Sequence, residues 1–95
     1  MAIGMILELH GDTDALRKIY NAINAELNVA GAAPAGLISH VAGPIPSGWR
    51  IVDVWQSKAA FDAFGTRLFP VAAKLGMSPD TQPDIWEIES TIKGA

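Results

Sequence analysis

The stretch LISHVAGPIPSGWRIVDVWQ, residues 37–56, decides the fold. Leu37 to Ala42 reads as a strand. Gly43-Pro-Ile-Pro-Ser-Gly48 reads as a tight connection, because Pro44 and Pro46 cannot both sit inside a hydrogen-bonded ladder. Trp49 to Gln56 is rich in Val, Ile and Trp and reads as a second strand. The two form an antiparallel hairpin. Pairing Gly43 with Gly48 sets Ala42 opposite Trp49, His40 opposite Ile51 and Ile38 opposite Asp53. Cross-strand partners share a face. One face then carries Ile38, His40, Ala42, Trp49, Ile51, Asp53 and Trp55, and the other Leu37, Ser39, Val41, Arg50, Val52, Val54 and Gln56.

Upstream, Ile3 to Leu9 is a short apolar run ended by His10-Gly11-Asp12, which reads as a strand buried on both faces. Asp12 or Thr13 caps a helix, since a short oxygen-bearing side chain satisfies free N–H groups of the first turn. Leu16, Ile19, Tyr20, Ile23 and Leu27 make its apolar stripe, and it ends near Asn28. The small residues 29–36, punctuated by Gly31, Pro34 and Gly36, read as a loop. Downstream, Ser57 caps a second helix with Phe61, Phe64, Leu68, Ala72 and Leu75 on its stripe. Pro70 removes one helix hydrogen bond and predicts a kink or split there. Gly76 is a natural stop. Residues 77–84 read as a loop and Ile85 to Ile92 as the last strand.

The order β-α-β-β-α-β is the ferredoxin-like α+β arrangement: a four-stranded antiparallel sheet with both helices on one face. With 95 residues, the chain is a single domain over 1–95. Apolar residues make up 49 % and charged ones only 18 %, against an average of about 25 % charged. A small core cannot hide all of it. The first strand carries Ile3, Met5, Leu7 and Leu9 on one face and Ile6 on the other. A homodimer that packs two sheets face to face into a barrel buries the surplus.

Composition excludes several classes. With no cysteine there is no disulfide scaffold, thiolate nucleophile or iron–sulfur site. A net charge of −3 and seven scattered basic residues argue against nucleic acid and against an anionic membrane surface. No run approaches a membrane span and no basic leader opens the chain, so a cytoplasmic location is expected. A phosphate-binding glycine loop and a Gly-x-Ser-x-Gly elbow are both absent. His10 and His40 have no recognised metal spacing, and no metal or other cofactor is expected.

Val54-Trp55-Gln56-Ser57-Lys58-Ala59-Ala60-Phe61 resembles the strand-to-helix junction of the dimeric α/β-barrel superfamily, in particular its antibiotic-biosynthesis monooxygenase-like branch, where Trp-x-Ser-x-x-Ala-Phe is common. Gly36-Leu-Ile-Ser-His40 and Gly48-Trp-Arg-Ile-Val-Asp-Val-Trp55 resemble small uncharacterised members of that superfamily. The resemblance implies a homodimer with a pocket between sheet and helices in each subunit. Members that oxygenate phenolic polycyclic substrates without a cofactor use an Asn and a Trp on this strand. Trp55 matches the Trp, but Ile51 stands where the Asn would be. Haem-degrading relatives often carry a His nine residues after the Trp, where this chain has Phe64. Both departures weaken the corresponding chemistry.

In the expected register His40 and Asp53 are diagonal neighbours, about 7–8 Å apart at the backbone. The carboxylate would orient the imidazole as a general base. Trp49 and Trp55 would supply flat apolar walls, with Tyr20 and Phe64 lining the pocket and His10 at its rim. The opposing view is a satisfied polar pair in a core, with Tyr20 and the phenylalanines as packing. Glu87 and Glu89 alternate with Trp86 and Ile88, an outward-polar pattern. Arg50, among apolar neighbours on the sheet-facing side, is expected to pair with Glu8 or Glu87 of a second subunit. The expected function is a cofactor-independent oxygenase or isomerase acting on a hydrophobic aromatic metabolite. The alternative is a non-catalytic ligand-binding or assembly module of the same fold.

Overall fold

A computed structural model describes residues 1–77 and 82–94. The elements are β1 (Ile3–His10), α1 (Thr13–Leu27), β2 (Leu37–Ile45), β3 (Gly48–Trp55), α2 (Lys58–Lys74) and β4 (Asp84–Glu87). The strands form one sheet in the order β2-β3-β1-β4, with each neighbouring pair antiparallel. The ferredoxin-like arrangement expected from the sequence is the one found.

Local chemistry explains the helix ends. Asp12 is the N-cap of α1 and its carboxylate accepts from the Ala15 N–H at 2.9 Å. At the other end Asn28 takes a left-handed conformation (φ 54°), and the N–H groups of Asn28 and Val29 bond back to the Ala25 and Asn24 carbonyls. Ser57 caps α2 by accepting from the Ala60 N–H at 3.1 Å. Gly76 closes α2 in the same manner as Asn28 closes α1, with Gly76 and Met77 donating to Ala73 and Ala72. The helix does not split at Pro70: α2 continues through it to Lys74. Pro70 is exposed near the helix end, where the missing N–H leaves only one carbonyl for water to satisfy.

The hairpin differs from the expectation by two residues. β2 runs on through Pro44 to Ile45, and the turn is only Pro46-Ser47. A proline is tolerated there because β2 is an edge strand. Ala42 therefore pairs with Ile51, and His40 pairs directly with Asp53. A shift of two preserves the alternation, so His40, Asp53 and Trp55 still share a face. A bulge between Leu37 and Ser39 changes the strand's start: Leu37, not Ile38, ends up opposite Trp55. Gly48 begins β3 so close to β1 that a Cβ would lie 1.9 Å from the Leu9 carbonyl oxygen.

The core lies on the helix side of the sheet. Ile3, Met5 and Leu9 of β1 are buried there with Trp49, Asp53 and Trp55 of β3, over Ile23 of α1 and Ala72 of α2. The other face of the sheet carries Ile6, Glu8, Val41, Arg50, Val52 and Val54, with no layer of the described residues over it. β4 ends at Glu87, short of the expected Ile92, because its partner β1 begins at Ile3, opposite Glu87. The expected β4 facing is also reversed: Trp86 pairs with Gly4 on the open face. A Cβ at Gly4 would sit 2.3 Å from the Trp86 ring, so the glycine makes room for the indole. The loop expected over 77–84 lies in part, at 78–81, outside the described residues.

Candidate functional site

β2 and β3 bring His40 and Asp53 together as direct cross-strand partners, closer than the diagonal placement the sequence suggested. Asp53 is buried, at 6 % exposure, in an otherwise apolar layer. A carboxylate there needs donors on both oxygens. Oδ1 lies 2.5 Å from His40 Nδ1, and Oδ2 accepts from the Trp55 indole N–H at 3.1 Å. An ionised carboxylate only accepts, so Nδ1 of His40 carries the hydrogen and donates it. In the neutral ring Nε2 is then the acceptor.

That acceptor is already engaged. The Tyr20 hydroxyl of α1 lies 2.5 Å from His40 Nε2, and the two rings are parallel to within 3°. Trp55, Asp53, His40 and Tyr20 thus form one chain of hydrogen bonds: Tyr20 O–H donates to His40, His40 donates to Asp53, and Trp55 donates to Asp53's other oxygen. Neighbouring bonds of this kind polarise one another. Asp53 fixes the tautomer that leaves Nε2 free to take the tyrosine's proton, and it faces the imidazolium that would result.

Aromatic packing holds both ends. Tyr20 leans on Trp49 with ring centroids 5.3 Å apart, and the Arg17 guanidinium, one turn earlier on α1, lies 5.6 Å from the Trp49 ring. Trp55, 1 % exposed, packs against Phe61 edge-on and against Phe64 at 5.5 Å, both from α2. The indole N–H of Trp49 is buried with no partner among the described residues.

Of the seven residues singled out in the sequence, the structure groups six: His40, Asp53, Trp55, Tyr20, Trp49 and Phe64. His10 is not among them. It pairs with Gly48 at the exposed end of β1, on the opposite sheet face. There it borders a cleft of about 260 Å³ with Ile6, Glu8, Gln82 and Asp84. Among the described residues no cluster of three His, Asp or Glu side chains could hold a metal ion. Arg50 pairs with Glu8 of its own chain at 2.6 Å, as cross-strand neighbours.

Two features of the structure are not visible in the sequence. One is the Tyr20–His40 bond: Tyr20 looked like any other stripe residue, and only the packing of α1 over the sheet aims its hydroxyl. The other is a cleft of about 320 Å³ between α2 and β4, bordered by Phe61, Gly65, Phe69, Pro83 and Ile85. The i, i+4, i+8 spacing of Phe61, Gly65 and Phe69 marks that strip of α2, but its partner strand is not visible from spacing alone.

No family model matches the chain, and no curated protein matches it. Solved structures do. A mutant of SnoaB, a cofactor-independent oxygenase from Streptomyces nogalater, superposes with a TM-score of 0.65 at 14 % identity, covering 98 % of this chain and 96 % of that one. A monooxygenase from the gene ActVA-Orf6 of Streptomyces coelicolor, in complex with the ligand Nanaomycin D, gives 0.62 at 12 % identity over 99 % and 92 %. A dimeric ferredoxin-like protein of unknown function from Jannaschia sp. CCS1 gives 0.55 at 15 % identity over 94 % and 98 %. The resemblance drawn from the Trp55-to-Phe61 junction and this likeness point the same way, and the chain has the ferredoxin-like fold that these small oxygenases share with proteins of unknown function.

Proposed function

We propose that the chain binds a hydrophobic, hydroxylated aromatic metabolite and removes its hydroxyl proton through Tyr20 to His40. The carrying observation is the unbroken line of hydrogen bonds from Tyr20 through His40 to a buried carboxylate. A substrate phenol or enol donates its proton to the Tyr20 oxygen as Tyr20 passes its own to His40 Nε2. The products are a substrate anion and an imidazolium held by Asp53. An anion of this kind is electron-rich enough to react with oxygen, or to take a proton back at carbon and so isomerise. Two structural neighbours are an oxygenase described as cofactor-independent and a monooxygenase in complex with the ligand Nanaomycin D, which supports the first course. In this reading His40 is the base and Asp53 its positioning partner, with the aromatic side chains as walls.

The functional unit is a homodimer. The open sheet face carries Ile6, Val52 and Val54 with exposed Val41 and Trp86, at 63 % and 44 % exposure. A second copy covers that apolar surface, and the Glu8–Arg50 pair would lie at its centre. One structural neighbour is described as dimeric. Among the described residues no helix is long and apolar enough to cross a membrane.

A second reading has an observation of its own. The two clefts described above lie away from the Tyr20 hydroxyl, and the hydrogen-bond chain also ties α1 to the sheet. A binding module without chemistry fits that arrangement.

The test starts with native mass spectrometry of the purified protein, followed by turnover of hydroxylated naphthalenes and anthracenes monitored by oxygen uptake and by product mass. A dimer is expected. Tyr20→Phe and His40→Ala should each lower turnover by about 10²-fold or more while circular dichroism stays unchanged. Binding without turnover selects the binding module, and turnover indifferent to both substitutions rejects the proton path through Tyr20 and His40. A monomer rejects the dimer.

A further inference from the structure

We propose that Tyr20 is a redox-active tyrosine, giving up one electron to a one-electron oxidant while its hydroxyl proton crosses to His40 Nε2. This goes beyond the proton transfer proposed above and does not depend on it. A phenol that loses an electron becomes a strong acid, so a base already hydrogen-bonded to the hydroxyl makes the oxidation easier. Here that base is 2.5 Å away. The balance is simple. Tyr20–OH and neutral His40 become the neutral Tyr20 phenoxyl radical and His40 imidazolium, and the oxidant is reduced by one electron. The oxidant class is a high-potential one-electron acceptor such as a trivalent polypyridyl metal complex. The new positive charge forms beside the buried Asp53 carboxylate, whose Oδ1 already holds His40 Nδ1 at 2.5 Å. The carboxylate that receives the His40 N–H thus stands in direct hydrogen-bond contact with the ring that takes the proton.

Competing sites are less well equipped. Trp49 touches Tyr20, with ring centroids 5.3 Å apart, but its indole N–H has no acceptor among the described residues. Among the described residues no hydrogen-bonded group stands ready to take the proton of a Trp49 radical cation, so the electron vacancy passes to Tyr20, whose proton has a place to go. Trp55 does have an acceptor, but it is Asp53, whose other oxygen already holds the His40 N–H. The geometry therefore makes Trp49 a relay and Tyr20 the terminus.

Tyr20 is the sole tyrosine in the chain, which makes the assignment clean. The full-length protein is mixed with ruthenium tris(bipyridine) and persulfate, flashed, frozen and examined by electron paramagnetic resonance. Expected is a radical whose hyperfine structure collapses when the protein carries ring-deuterated tyrosine, and whose formation slows in D2O. His40→Phe should cut the rate of Tyr20 radical formation by about 10²-fold, the size of effect a positioned base confers. Asp53→Asn, a near-isosteric second variant, should lower it in the same direction. A spectrum untouched by tyrosine deuteration overturns the proposal. So does a formation rate equal to the native one in folded His40→Phe or, should that variant not fold, in Asp53→Asn. Neither result bears on turnover of a hydroxylated substrate, so the two proposals fail separately.

Discussion

Asp53→Asn separates the electrostatics of the hydrogen-bond chain from its packing. The carboxylate accepts from two donors, His40 Nδ1 and Trp55 Nε1. An amide can keep both bonds in only one way. Its oxygen faces the Trp55 N–H, and its NH2 group faces His40. Nδ1 must then accept, so the ring hydrogen moves to Nε2, and Nε2–H donates to the Tyr20 oxygen. The number of hydrogen bonds is conserved. What is lost is the charge on the acceptor, offset by relief from burying a carboxylate, for a net destabilisation of about 1 kcal/mol. Asp53→Ala differs. It strands the Trp55 N–H at 1 % exposure, a cost of about 1–3 kcal/mol, and removes a second bond of about 1 kcal/mol, so about 2–4 kcal/mol in all. In a domain of this size each kcal/mol moves Tm by about 4–8 °C.

The assay is paired: urea unfolding at fixed protein concentration, and nitrogen-15 NMR of the imidazoles in a His10→Gln background. In the native protein His40 should show a protonated Nδ1 and a bare Nε2, and in Asp53→Asn the reverse. Because the reversed tautomer cannot accept a proton at Nε2, turnover should fall as far as in His40→Ala, by about 10²-fold, despite the small loss of stability. If Asp53→Asn leaves the His40 tautomer unchanged, or costs as much stability as Asp53→Ala, the hydrogen-bond assignment is wrong.

Gly48→Ala should be severe, about 3 kcal/mol or more, because its Cβ would collide with the Leu9 backbone at 1.9 Å and backbone cannot yield as a side chain can; a stable variant by denaturant titration would show that the β1–β3 pairing is misplaced there. Gly4→Ala should expel the Trp86 indole from the open sheet face, red-shifting its fluorescence and weakening self-association in ultracentrifugation; unchanged emission would mean that Trp86 does not lie over Gly4. Ser57→Ala removes the acceptor for the Ala60 N–H and should cost about 1 kcal/mol in thermal unfolding, with Ser57→Asp restoring it. Lys58→Ala, by contrast, breaks an exposed i, i+4 pair with Asp62 and should cost no more than about 0.5 kcal/mol.

The sequence by itself determined what depends on near neighbours along the chain. Asp12 and Ser57 announced the two helix starts, Asn28 and Gly76 their ends, and the apolar stripes their inward faces, because caps and periodicity are local properties. Alternation in a hairpin is also local, so the shared face of His40, Asp53 and Trp55 was legible even with the register wrong by two, an even shift. Tertiary structure decided the rest. The edge position of β2 let Pro44 remain in a strand, which moved His40 from a diagonal to a direct partner of Asp53. The start of β1 at Ile3 ended β4 at Glu87, and the facing of β4 put Trp86 over Gly4. Most of all, the docking of α1 over the sheet aimed the Tyr20 hydroxyl at His40 across 20 residues of chain. Nothing in the spacing of either residue encodes that distance, because it is set by how a helix packs on a sheet that neither residue belongs to alone.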